Sequence, residues 1–173
     1  MKTIASYIIF GTMALTVASC SDGWLDVEPS TAVETDKSIN ELSDVNIMLN
    51  GIYTTMQDAY AYSGRLVYYG DACGDDMMAY SSTKRTGNYY TFNFTKDTAP
   101  STFWSYPYKM IGLCNIILAK IDNLETKETE LRDYYKGQAL ALRAMLLFDL
   151  TKFYGYPYKK DNGASLAVPI VTT

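Results

Sequence analysis

Histidine is absent from all 173 residues. Its absence rules out histidine-based nucleophile triads and histidine-ligated metals within this chain. Cysteine is nearly as scarce, with only Cys20, Cys73 and Cys114. Positive charge is also in short supply. Fifteen Lys and Arg face nineteen Asp and Glu, a net charge of −4. The basic residues do not cluster, so no nucleic-acid partner is expected. Long apolar runs are missing too. The longest charge-free stretch runs from Thr3 to Ser21, and its mostly apolar part, Ile4 to Val17, falls short of the roughly 20 apolar residues that span a bilayer.

What that stretch does resemble is a cleavable export signal. Lys2 gives a positive start, the apolar run follows, and Val17-Ala18-Ser19-Cys20 closes it with small residues. Ala18 and Ser19 let the backbone enter a peptidase, and Cys20 offers a sulfur for a diacylglyceryl chain. We therefore read residues 1–19 as a lipoprotein signal peptide and Cys20 as the acylated first residue of the mature protein. Several acyl chains on one residue anchor firmly, because each buried methylene contributes about 0.8 kcal/mol. The next residues, Ser21-Asp22-Gly23, form a short polar tether. Residues 20–173 suit one domain or part of one. Without Lys2 that part carries a charge of −5. Cys73 and Cys114 are open to two readings: a disulfide in an oxidising compartment, or two free thiols, with Cys114 inside an apolar helical pattern.

Three helices dominate the rest. Ser38-Ile39-Asn40-Glu41 has capping-box spacing, and Leu42, Val45, Leu49, Ile52 and Met56 then recur at three and four. Gly51 lies inside this run, where a close helix crossing would explain it. A second helix is expected over 101–123, with its apolar face along Trp104, Tyr108, Ile111, Cys114 or Asn115, Leu118 and Ile121. Asn115 on that face needs a hydrogen-bond partner. A third helix is expected over 128–154, along Leu131, Tyr135, Ala139, Leu142, Leu146, Leu150 and Phe153, and stopped by Gly155. The fold class is mostly α. Ala144, Phe148 and Pro157 echo the second helix of a tetratricopeptide repeat, although no 34-residue self-similarity is present. Simple antiparallel packing is the alternative.

Residues 61–100 break the helical pattern. They are rich in glycine, serine, threonine and asparagine, with short extended segments expected at Leu66–Tyr69 and Tyr89–Phe94. A connection this long is usually functional. It carries many of the sixteen tyrosines and an acidic cluster, Asp71, Asp75 and Asp76. Tyrosine joins an apolar face to a polar tip, which suits sugar rings with their C–H faces and hydroxyl edges. Tyr80, Tyr89, Tyr90 and Asp75 are the candidate ligand contacts. Two carboxylates could instead be a glycosidase pair. Turn formation and capping by aspartate is the plainer reading. Trp104 is placed in the core, and Arg143, amid apolar neighbours, must be paired. No catalytic residue, metal or cofactor is assigned.

Read in order, several pieces resemble the amino-terminal part of a SusD/RagB-family protein. They are Cys20 with Trp24-Leu25-Asp26; Leu49-Asn50-Gly51-Ile52-Tyr53; Gly70-Asp71 with Asp75-Asp76; Trp104, Tyr108, Ile111 and Asn115; Gln138 to Ala144; Phe148-Asp149-Leu150; Tyr154-Gly155-Tyr156-Pro157; and Val168-Pro169. Asp22, so soon after Cys20, is similar to the surface-export signals of Bacteroidetes lipoproteins. The resemblance implies tetratricopeptide-like helix pairs with long irregular loops. It also implies a lipid-anchored protein at the outer-membrane surface that binds glycans, or other nutrient oligomers, and passes them to a TonB-dependent, SusC-like transporter. An exported glycoside hydrolase using Asp71, Asp75 and Asp76, and a tetratricopeptide-like protein-binding scaffold, are the alternatives. Such proteins are usually several times longer, so residues 20–173 are expected to be an incomplete domain, with helices that leave an apolar face uncovered. Residues 21–173 alone should then aggregate. A monodisperse monomer that unfolds cooperatively, seen by light scattering and thermal melting, would overturn that expectation.

Overall fold

The computed structural model describes residues 38–74, 76–81, 86–95 and 101–172. The expected signal peptide at 1–19, Cys20, the expected tether and Asp75 lie outside the described residues. The chain divides into two units, Met1–Glu34 and Thr35–Thr173, and everything described here belongs to the second.

Helix α1 spans Leu42–Met56. Its N-cap is Glu41, in extended backbone, one turn later than the expected Ser38. The sequence carries the capping spacing twice, from Ser38 to Glu41 and from Glu41 to Asp44, and the second wins. The Asp44 carboxylate accepts the N–H groups of Glu41 at 3.1 Å and Asn40 at 2.8 Å. These are orphan donors at the helix start, and an acidic group there also suits the helix dipole. Leu42, Val45, Leu49 and Ile52 are buried, as their spacing requires.

The next segment departs from expectation. Leu66–Tyr69 is not extended but part of helix α2, Arg65–Cys73. Tyr89–Phe94 begins inside a single helical turn, α3, Gly87–Tyr90. Leu66, Tyr69 and Ala72 lie three apart, a helical spacing too short to stand out among the surrounding glycines and hydroxyls.

Helix α4 spans Thr102–Lys120 and tightens into a 3₁₀ turn, Ile121–Asn123. Helix α5 spans Thr129–Tyr154, close to its expected bounds. The short link between them returns α5 against α4, and these two form the most extensive helix pair, with α1 packed on both. Val45, Leu49 and Ile52 of α1, Met110, Cys114 and Ile117 of α4, and Ala139, Leu142, Leu146 and Leu150 of α5 share one core. No strand occurs among the described residues. Residues 167–171 are irregular chain, and Val168 packs against that core.

Two glycines separate conformational cost from packing need. A Cβ on Gly51 would meet nothing within 4 Å. No helix crosses there, contrary to expectation. Gly155 caps α5 with φ −92° and ψ 161°, an ordinary extended backbone, so it is not a left-handed stop. Its Cβ would lie 2.6 Å from the Thr151 carbonyl oxygen and 2.9 Å from the Ala167 Cβ. Glycine is needed here for close approach of the returning chain. Gly51→Ala should therefore raise stability by about 1 kcal/mol. Gly155→Ala should lower it by about 1–3 kcal/mol through overpacking. Urea unfolding of the two variants checks both signs.

Candidate functional site

The tyrosine-rich segment is organised by one ring. Tyr69 of α2 meets Phe103 edge-on at 4.8 Å, Tyr89 at 5.0 Å and Phe153 at 5.6 Å between centroids, and Phe94 lies 6.2 Å away. Edge-to-face contacts suit the aromatic quadrupole. The cluster ties α2 and α3 to the start of α4 and the end of α5. Burial is the main cause raising the Tyr69 phenol above its ordinary range.

The expected contact residues are placed differently from one another. Tyr89 is only 5% exposed and also stacks with Phe94 at 6.4 Å. Its ring is framework and has no face left for a ligand, because the bulk of Tyr69, Phe94 and Phe103 covers it. Tyr80 is the opposite case, fully exposed at 100%. Tyr90, at the end of α3, is partly exposed and lines a small dent of about 20 Å³ with Met77, Met78 and Thr86. The structure thus does not gather the three tyrosines into one pocket. Asp71 and Asp76 are exposed. The Asp71 carbonyl accepts the Gly74 N–H at 3.1 Å, closing α2. Among the described residues, no three metal-ligating side chains converge.

Trp104 was expected in the core, but it is 39% exposed. Helix α4 carries two adjacent ladders at steps of three and four. The one that turns inward runs through Phe103, Pro107, Met110, Cys114, Ile117 and Ile121. Trp104 rests instead in a surface aromatic group, 4.9 Å from both Tyr108 and Tyr154. The sequence signal that could have found it is the run of aromatics at 103, 104, 106 and 108. Such a run cannot all face one side of a helix.

Asn115 is buried at 4% and fully engaged. Its Oδ1 accepts from Arg143 at 3.1 Å, and its Nδ2 donates to the Val171 carbonyl at 2.9 Å. The expected pairing of Arg143 is thus to an amide. Nearby, the Tyr108 hydroxyl donates to the Pro169 carbonyl at 2.8 Å. Tyr62 donates to the Asp149 carboxylate at 2.7 Å, and burial first, then that bond, pushes the Tyr62 phenol up. Cys73 and Cys114 are both free thiols, Cys114 fully buried. Burial pushes the Cys114 thiol up to about 11, against the opposing pull of Arg143.

The described residues thus form a helical scaffold that carries an aromatic-rich segment. Comparison with known proteins agrees in family. Residues 23–173 match the SusD-like family described as starch-binding and associating with the outer membrane. The chain belongs to this family. It is 64% identical to a candidate sugar-binding protein of Bacteroides vulgatus ATCC 8482, whose crystal structure superposes with a TM-score of 0.74 over 79% of this chain and 31% of that one. A SusD superfamily protein of Bacteroides thetaiotaomicron VPI-5482 is 33% identical, with a TM-score of 0.68 over 78% of this chain and 31% of that one. The SusD-like protein P38 of Formosa agariphila is 24% identical over 145 residues, 83% of this chain and 28% of its own length. The chain thus spans about a third of the length of these relatives.

Asn115→Leu should cost about 1–3 kcal/mol, because it strands Arg143 and the Val171 carbonyl. Cys114, one residue away, reports the loss. At about pH 8 it should resist iodoacetamide in the wild type, since only the thiolate reacts, and yield in the variant. Equal resistance in both, at equal stability, would show that the amide link carries no weight.

Proposed function

We propose that this chain is the amino-terminal part of a surface lipoprotein that captures glycans and hands them to a TonB-dependent, SusC-like transporter without cleaving them. The observation that carries the reading is the family match across residues 23–173, joined to 64% identity with a candidate sugar-binding protein. The leader at 1–19 would direct export and be removed, and the acylated Cys20 would hold the protein to the outer membrane, facing outward. The helix bundle would serve as scaffold. Tyr80 offers both ring faces to solvent, and with Tyr90 and Asp75 it would contribute to the ligand side. Tyr89 belongs behind them, positioning Tyr90 from inside the aromatic cluster.

Binding and hydrolysis separate cleanly in one experiment. The natural product, without its leader, is run through native gels containing starch, xylan, galactomannan or laminarin. Retardation by at least one polymer, with the polymer left intact, is the expected result. Tyr80→Ala should weaken the retardation by about threefold or more, the loss of one stacking face. A cleared zone would mean a hydrolase and overturn the proposal. No retardation on any gel would favour a protein-binding scaffold.

A further inference from the structure

The return of the chain after α5 builds a second concave surface. Beyond Gly155, a 3₁₀ turn at Tyr158–Lys160 leads into a tight loop that folds back toward the helix. Between helix and loop lies an open cleft of about 470 Å³, within the range of small-ligand sites. Phe148, Tyr156 and Tyr158 line it and are 64%, 61% and 72% exposed. Three large exposed rings around one cleft are unusual for a surface that only solvates a fold.

The polar side of the cleft is preset. The Asp161 carboxylate accepts the N–H of Gly163 and of Ser165, each at 3.0 Å, and also the Ser165 hydroxyl. Asn162 and Gly163 take left-handed backbone, φ 57° and 78°, to make this possible. The Ser165 bond leads the causes that hold the Asp161 carboxyl below its usual range. A carboxylate has about four acceptor positions. The N–H groups of Gly163, Ala164 and Ser165 and the Ser165 hydroxyl all support the charged form, and a ligand hydroxyl would share Oδ1 with the Gly163 N–H. One edge of the Tyr158 ring, Cε2 and Cδ2, lies 3.0 and 3.1 Å from where a Gly163 Cβ would sit, and the ring is 72% exposed. Lys160 covers the Tyr156 ring at 3.2 Å, while Lys152 stands farther off, 5.5 Å from the centre of the Phe148 ring. That leaves Phe148 and Tyr158 as the faces best able to stack.

We propose that this cleft is a saccharide subsite, in which one pyranose ring lies against Phe148 and Tyr158 while its hydroxyls bond Asp161 and Ser165. A pyranose matches the lining because its C–H faces are apolar and its edge is all donors and acceptors. A purely apolar ligand would leave the Asp161 acceptor desolvated. The proposal rests on the glycan-capture reading and adds to it a location apart from the 76–90 segment.

The same gels test it with the natural product. Phe148→Ala combined with Tyr158→Ala should reduce affinity for the retarding polymer by about tenfold. Tyr158→Phe keeps the ring and should retain most of the retardation. All three rings are exposed, so the unfolding temperature should hold. A second measurement uses the unaltered protein. Oligosaccharide of the retarding polymer should protect Tyr158 and Tyr156 from tetranitromethane, read by mass spectrometry. Unchanged retardation in the double variant together with unprotected tyrosines would overturn the subsite and leave glycan capture standing. No retardation of the natural product on any gel would overturn both.

Discussion

An amide side chain buried between two helices must find partners for its donors and its acceptor, or cost the fold about 1–3 kcal/mol. Asn115 meets that demand from two directions, taking a guanidinium hydrogen bond from α5 and giving one to the backbone of the last described segment. Each bond fixes a different thing. The Arg143 bond sets the register of α5 along α4, because a slide of one residue would rotate the guanidinium away by about 100°. The Val171 bond sets where the returning chain lies. Tyr108, about two turns earlier on α4, holds Pro169 in the same way. With both ends pinned, Gly155 has to turn where it does, against the Thr151 carbonyl and Ala167, and only glycine fits. The cleft after α5 is therefore a consequence of a polar contact in the core.

The tyrosines divide by what covers their rings. Tyr69 and Tyr89 are surrounded by other aromatics, and their value is area and shape. Tyr62 is half-buried and spends its hydroxyl on Asp149. Tyr80, Tyr156 and Tyr158 keep their rings in water. One residue type thus does two jobs because it joins an apolar face to a polar tip. Inside, the ring packs while the hydroxyl finds an acceptor. Outside, the ring can stack on a ligand without enlarging the purely apolar surface as much as leucine would.

Much of the architecture was legible in the sequence. The three long helices follow from apolar spacing over four or more turns, and the need of Asn115 and Arg143 for partners follows from their chemistry. The misreadings share a cause, which is competition between two equally spaced patterns. Two capping boxes lie three residues apart, at Ser38 and Glu41, and only the side chain of Asp44 decides between them. Two ladders run along α4, and only tertiary packing chooses the one through Phe103 over the one through Trp104. Helices α2 and α3 are too short for periodicity to outweigh their glycines. Gly155 stops α5 as expected, but the crowding that selects glycine there comes from Ala167, twelve residues on. The candidate contacts were less legible than the fold. Whether a tyrosine is framework or presented depends on its neighbours in space, and Tyr89 and Tyr90, adjacent in sequence, end on opposite sides of that line.

A protein that must both hold a polymer and give it up gains from several weak contacts over one tight one. Affinity at a single deep pocket resides mostly in a slow off-rate, and that would delay handover. On the proposed reading, shallow aromatic surfaces such as the exposed Tyr80 and the open cleft beside Tyr158 would bind single sugar rings weakly. A polysaccharide, however, presents many rings on one chain. Once one ring is held, the next is at high effective concentration, and the combined affinity can exceed either contact by about 10²–10⁴. Each contact could still release on its own, so under the proposed function the polymer would leave stepwise toward the transporter. Exposed rings on a rigid helical frame meet this requirement better than a closed pocket. On the proposed reading, an open aromatic surface would suit capture followed by handover.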